Sequence, residues 1–218
     1  MLYHTNTLRS KVDDLDNSER KNQPFPVLEK INEVGSSQLI IIQRFSPCLK
    51  NLYIAGPGVF FPDAVQHRDR KKELCSQYGF IGLSPLDYEL QSNSDNPFVF
   101  SQEIFQANIE LMNTADVIIA DLTPFRGSSA DAGTVLEIGY MHALGKPTYG
   151  YSNSETTYLE RVNHGSPSDL NSHRIEDFGL NDNLMLIHSC TFFTSKATSQ
   201  PYFDIDGFET CLKKLKNF

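Results

Sequence analysis

From Leu52 onward the chain alternates short apolar runs with segments of helical length, and that rhythm leaves few folds open. LYIAG (52–56) reads as a buried strand stopped by the turn signal Gly56-Pro57-Gly58. Pro62 and Asp63 then open a helix to about Tyr78, and Phe80–Leu83 is the second strand. A polar loop, SPLDYELQSNSDNPFVF, is too long for a mere connector and suits a cover over a site. Ser101 with Glu103 starts the next helix, which reaches about Thr114. Asp116–Leu122 is the third strand, Ala132–Leu144 the third helix and Pro147–Tyr151 the fourth strand. Asn153–Asn183 reads as a long irregular loop. Either Leu184–Ile187 or the TFF run after it supplies the fifth strand, and Ile205–Lys216 closes the chain as an amphipathic helix. Strands alternating with helices predict an α/β fold: a doubly wound, mostly parallel five-stranded sheet with helices on both faces. Ligands of such sheets bind at the carboxyl ends of the strands.

The first fifty residues read differently. DDLDNSERKNQPFP is polar and turn-prone, and Leu39–Ile42 is a β-rich run that forms either an edge strand or a buried anchor. The expected division is an extension over 1–50 and one catalytic domain over 51–218.

Charge narrows the partners. With 27 acidic against 19 basic residues and a net charge of -8, the surface does not suit neutralising a phosphate backbone. The dense run Arg68-Asp69-Arg70-Lys71-Lys72 reads as the solvated face of a helix. The four cysteines, Cys48, Cys75, Cys190 and Cys211, are widely spaced with no CxxC pair, which suits reduced thiols and no metal site. The polar start and the lack of a long apolar run predict a cytoplasmic protein with no membrane contact.

The stretch Ala115–Gly145 carries the chemistry: a strand, a Gly/Ser-rich acidic loop and a helix bearing Glu137 among Val135, Leu136 and Ile138. Small residues before a helix can cradle phosphate. Here no GxGxxG or GxxxxGK[ST] is present, and Asp121, Asp131 and Glu137 would all repel an anion. Asp131 precedes Glu137 by six residues, about 240° around a continuous helix, so the two meet only if Asp131 belongs to the loop. There its simplest role is the helix N-cap. Two carboxyls so placed could divide into nucleophile and proton donor, as in retaining glycoside cleavage. Ser128 and Ser129 lack a nucleophile elbow, and His67 and His142 read as surface or satisfied histidines.

Four stretches, YIAGPGVFFPD (53–63), NIELMNTADVIIADLTPFRG (108–127), DAGTVLEIGYMHALGKP (131–147) and DNLML (182–186), taken in that order and spacing, resemble the nucleoside 2-deoxyribosyltransferase family. The resemblance implies a flavodoxin-like sheet and a retaining transfer of 2-deoxyribose between nucleobases in nucleoside salvage, with no cofactor. It makes Glu137 the nucleophile, Asp131 the carboxyl that helps protonate the leaving base and Tyr53 the hydroxyl that orients Glu137. Asn183 and Met185 match residues donated by a neighbouring subunit, which implies at least a dimer. Asn108 stands where some members carry Asp; it can bind a sugar hydroxyl but cannot take a proton, which makes it a positioning residue. Asp121 completes the implied substrate-binding set.

The physics of the residues agrees with that assignment. A helix start favours an ionised Glu137, and a close carboxylate neighbour would raise the pKa of the acid that serves the leaving base. Gly56 and Gly58 allow close backbone approach to a ligand. Phe60 or Phe61 stacks on the base or packs the core, and Asp63 caps its helix or touches the base. Two rivals stay open: a hydrolase of 2′-deoxynucleosides or their 5′-monophosphates, for which Arg126 and Ser128-Ser129 are candidate phosphate contacts, and a non-catalytic nucleotide-binding module.

Overall fold

The computed structural model describes residues 49–87, 96–163, 168–169 and 171–215. The Leu39–Ile42 run, the rest of the first 48 residues and the middle of the loop after the second strand lie outside the described residues. Leu49–Phe218 forms one compact unit.

Its strands are β1 (Lys50–Ala55), β2 (Phe80–Leu83), β3 (Val117–Asp121), β4 (Thr148–Ser152) and β5 (Phe192–Ser195). The helices are α1 (Ala64–Gln77), α2 (Pro97–Thr114), α3 (Ala132–Ala143), α4 (Tyr158–Asn163), α5 (Leu184–Ser189) and α6 (Asp206–Leu215). Every pairing is parallel, in the order β2-β1-β3-β4-β5. This is the doubly wound parallel sheet that the alternation predicted, in the flavodoxin-like form that the resemblance implied. Its strand order reverses between β1 and β3, so the ligand crevice of such a fold opens beyond Ala55 and Asp121.

Period-two alternation sorts the strand residues onto two faces. Tyr53, Ala55, Ile118, Ala120 and Leu122 pack with Leu111 and Met112 of α2, Ile138 and Met141 of α3, and Leu186 of α5. Leu52, Ile54, Val117, Ile119, Tyr149 and Tyr151 pack with Cys75 of α1 and with Phe208, Cys211 and Leu212 of α6. Burial on both faces is why VIIAD reads as a continuous apolar run.

Local sequence misled at the start of α2 and within the Asn153–Asn183 loop, and it left one choice open that the structure decides. The α2 helix begins at Pro97, four residues before the Ser101 start expected from its pattern, because Asn96 caps it: Oδ1 accepts from the Phe98 N–H at 3.0 Å, with Pro97 in the first turn. Leu184–Ile187 is helical and the fifth strand is the TFF run; Asn183 starts the helix by accepting from the Met185 N–H at 3.0 Å. The Asn153–Asn183 loop also contains α4.

The basic run on α1 is not uniformly solvated. Lys71 is only 2% exposed, with its ammonium 5.7 Å from the Tyr151 ring centre and 5.5 Å from that of Phe208. Lys72 and Arg68 instead turn to Asp87. One helix face thus buries a cation that composition assigned to solvent. Among the described residues no helix is long and apolar enough to cross a membrane.

Candidate active site

The Tyr53 side chain lies fully buried on the sheet face covered by α2 and α3. Its hydroxyl donates to Glu137 Oε1 at 2.6 Å. Glu137 sits on α3 next to the buried stripe Thr134, Ile138 and Met141, which holds its half-buried side chain over β1. Burial pushes the carboxyl up to about 7 and the Asp131 charge adds to this, while the Tyr53 hydrogen bond works the other way. The helix start therefore does not keep Glu137 in the ordinary carboxylate range: desolvation outweighs it. The same desolvation and the adjacent carboxyl raise the Tyr53 phenol well above its usual value, so it stays a donor.

Asp131 is the N-cap of α3. Its Oδ2 accepts from the Thr134 N–H at 3.1 Å and from the Thr134 hydroxyl at 3.3 Å. It belongs to the loop, as the six-residue offset requires, and lies close enough to Glu137 to act on its titration. Capping and proximity are both present.

The loop between β3 and α3 is pinned by residues that sequence reasoning missed. Asp182, 1% exposed, accepts from the Ser129 hydroxyl at 2.5 Å, the Ala130 N–H at 3.0 Å and the Asn183 N–H at 2.7 Å. Arg161 donates to the Ser128 carbonyl at 2.7 Å, to the carbonyls of Thr156 and Asn181, and lies 3.5 Å from Asp182. A buried carboxylate with donors from three directions is well satisfied. Asp182 opens the DNLML run, a signal that was in hand; Arg161 had none, since its partners are mostly backbone carbonyls. The Ser129 hydroxyl is thereby committed to a carboxylate rather than poised for a phosphate.

At the β1 turn, Gly56 has φ 143, and a side chain there would meet Asp121 Cβ at 2.7 Å. Its lack of a Cβ serves contact between the ends of β1 and β3. Asp121, 2% exposed, accepts from the Thr123 N–H at 3.0 Å. Strand alternation puts it on the face of Val117 and Ile119, opposite Tyr53. Asp63 occupies the N-cap position of α1 without a side-chain cap bond, and its Oδ1 is buried with no hydrogen-bond partner. His67 is neither on the surface nor satisfied: it is 4% exposed, both ring nitrogens lack partners, and burial lowers it to about 3.

Phe61 is walled by His67, Phe125, Tyr202 and Phe203 at ring distances of 5.4, 6.4, 5.7 and 6.0 Å, and so packs inward. Phe60, 53% exposed, stacks on Phe125 at 5.7 Å and 10° and keeps surface open to solvent. Asn108 is half-buried on α2, one turn before Leu111 and Met112 on the same helix face as Tyr53's neighbours. The Asn183 amide donates to Glu176 Oε1 at 2.6 Å while its oxygen caps α5. Met185 projects from the chain at 74% exposure.

The structure thus brings together a hydrogen-bonded carboxyl and a second carboxyl beside it, and sets an exposed ring in the turn after β1, next to the strand-order reversal. The sequence pattern of the nucleoside 2-deoxyribosyltransferases matches residues 52–185. A 2-deoxyribosyltransferase from Leishmania mexicana superposes with a TM-score of 0.61 and 31% identity, covering 77% of this chain and 97% of that one. An uncharacterised protein of Schizosaccharomyces pombe is 36% identical over 118 residues, which are 53% of this chain and 54% of its own length. The chain spans about half the length of that curated relative.

Proposed function

The chain belongs to the nucleoside 2-deoxyribosyltransferase family, and from that premise we propose that it exchanges the nucleobase of 2′-deoxynucleosides by double displacement through Glu137. The observation that carries this reading is the 2.6 Å hydrogen bond from Tyr53 to Glu137 Oε1. It occupies one carboxylate oxygen and leaves Oε2 for the sugar. In the first half-reaction Oε2 attacks C1′. The C1′–N bond breaks with its electron pair passing to the base, and Asp131 gives the proton that neutralises it. A second base then attacks C1′ from the vacated side, Glu137 leaves as carboxylate, and the proton shed by the incoming base returns to Asp131. Two inversions give net retention.

Glu137, held near pH 7, changes between ionised nucleophile and neutral resting acid over the physiological range. Asn108 positions the sugar and Phe60 stacks on the base. Asp121 and Gly56 shape the crevice by joining β1 to β3. The catalytic domain is 51–218, with 1–50 as an extension, and the setting is cytoplasmic nucleoside salvage.

The reading includes a homo-oligomer. Phe98 and Phe105 of α2, Leu136 of α3 and Met185 of α5 are 68, 54, 58 and 74% exposed, a concentration of large apolar side chains on the elements that cover the Tyr53 face. A second copy covering them would bring its own Asn183–Met185 segment to the site.

Incubating the protein with deoxyinosine, with and without a second free base, tests the reaction. Exchanged nucleoside is expected and is lost in Glu137→Ala. Release of free deoxyribose alone would assign a hydrolase, and absence of turnover would assign a binding module. Intact exchange in Glu137→Ala would overturn the mechanism.

A further inference from the structure

Arg126 follows Phe125 in the loop between β3 and α3. Its guanidinium carbon lies 4.7 Å from the Phe60 ring centre and 4.8 Å from that of Phe125. The two rings are stacked, and Phe60 belongs to the turn after β1. Arg126 therefore spans the two loops that frame the crevice at the strand-order reversal. Its residue is exposed, and among the described residues it forms no ion pair. Its backbone is at φ 57, the left-handed region; among the described residues outside glycine only Ser172 shares a positive φ. Non-glycine residues adopt that region at a cost, and such residues cluster at functional sites. A strained backbone, two rings and no counter-charge hold a guanidinium with its N–H edges unused.

We propose that Arg126 is a specificity-determining residue of this site that selects nucleobases presenting a carbonyl oxygen over those presenting an amino group at the same edge. The inference rests on the transferase reading above. A guanidinium only donates hydrogen bonds. Guanine and thymine offer a carbonyl acceptor where adenine and cytosine offer an N–H donor, and arginine pairs well with the former. Two donors facing each other cannot bond, whereas a carbonyl oxygen accepts from the guanidinium. The flat faces beside the guanidinium suit a planar heterocycle, with Phe60 as its stacking surface.

A phosphate is the less favoured occupant. The Ser129 hydroxyl of the same loop is bonded to Asp182, and Asp131 and Glu137 follow directly. Two carboxylates close to the loop in sequence would repel a phosphate there.

The test compares hypoxanthine and uracil with adenine and cytosine as acceptors from one common donor nucleoside. It uses the wild type and Arg126→Met, which keeps a long stem against the rings and removes the donors. The wild type is expected to favour the carbonyl bases by about 10-fold or more in kcat/KM. Arg126→Met is expected to bring the ratio near one mainly by losing the carbonyl bases. Equal use of both classes by the wild type, or an unchanged ratio in a folded Arg126→Met, would overturn the proposal. So would a loss in Arg126→Met confined to a 5′-monophosphate donor assayed beside the nucleoside donor, which would make Arg126 an anion contact. Calorimetric binding of hypoxanthine and adenine to the wild type separates the two readings. A carbonyl preference in binding without turnover upholds Arg126 and sinks the transferase, while turnover with no preference does the reverse.

Discussion

Tyr53 and Glu137, 84 residues apart in sequence, share a 2.6 Å hydrogen bond across the interface between the central sheet and α3. That bond and Asp131 push the Glu137 carboxyl in opposite directions, while burial sets it near 7. Attack on C1′ requires the ionised form, so kcat/KM should rise with pH through an acidic limb near 7. Removing the donor in Tyr53→Phe shifts that limb upward, and removing the neighbouring charge in Asp131→Asn shifts it downward. A pH series of deoxyinosine exchange reads the limb independently of its height, and shifts of the same sign in both variants would contradict this account.

The raised carboxyl also has a thermodynamic cost. The folded pKa, about 7, lies above the ordinary 4.5, so the folded state binds the extra proton in that window. The stabilisation is complete below about pH 4.5 and is lost as pH rises through 7. Glu137→Gln stays neutral throughout, and its oxygen still accepts from Tyr53. It should therefore unfold at higher urea than the wild type at pH 8, by on the order of 1–3 kcal/mol, with little difference at pH 4.5.

Asp182 pins the loop that carries Arg126 and Asp131. Asp182→Ala strips acceptors from Ser129, Ala130 and Asn183 and leaves Arg161 without its carboxylate. The expected loss is roughly 3 kcal/mol in urea unfolding, the scale of a broken buried pair. Exchange activity should fall further than the folded fraction does, since the loop positions the acid.

If a second copy completes each site, an inactive Glu137→Ala protein mixed with an inactive Asn183→Ala protein should regain activity. A dimer with random exchange would recover up to about a quarter of wild-type sites per molecule pair. Met185→Asp and Leu136→Asp should lower the oligomeric state in analytical ultracentrifugation and reduce exchange together. Mixing without recovery, for variants that each oligomerise, would place Asn183 in its own chain's site.

Much of the fold was legible because it rests on local repetition. Apolar runs such as VIIA and YIA can be buried only as strands covered on both faces, and the helical segments between them make those strands parallel. That Asp131 could meet Glu137 only from the loop followed from helix geometry. The start of α2 at Pro97 was also in the sequence, as an Asn-Pro cap four residues ahead of the Ser101/Glu103 pattern.

Partnerships between distant segments were not legible. Neither the burial of Lys71 against Tyr151 and Phe208 nor the orphaned ring of His67 follows from the charges of α1. Asp121 was grouped with the substrate-binding residues, yet one step of strand alternation puts it on the face of Val117 and Ile119, opposite Tyr53. Composition and spacing thus determined the strand order of events along the chain, the candidate carboxyls and the family they resemble. The tertiary structure alone decided which carboxyl is desolvated, which serine is already bound and which arginine stands free of counter-charge, because desolvation and charge pairing depend on what packs nearby in space rather than in sequence.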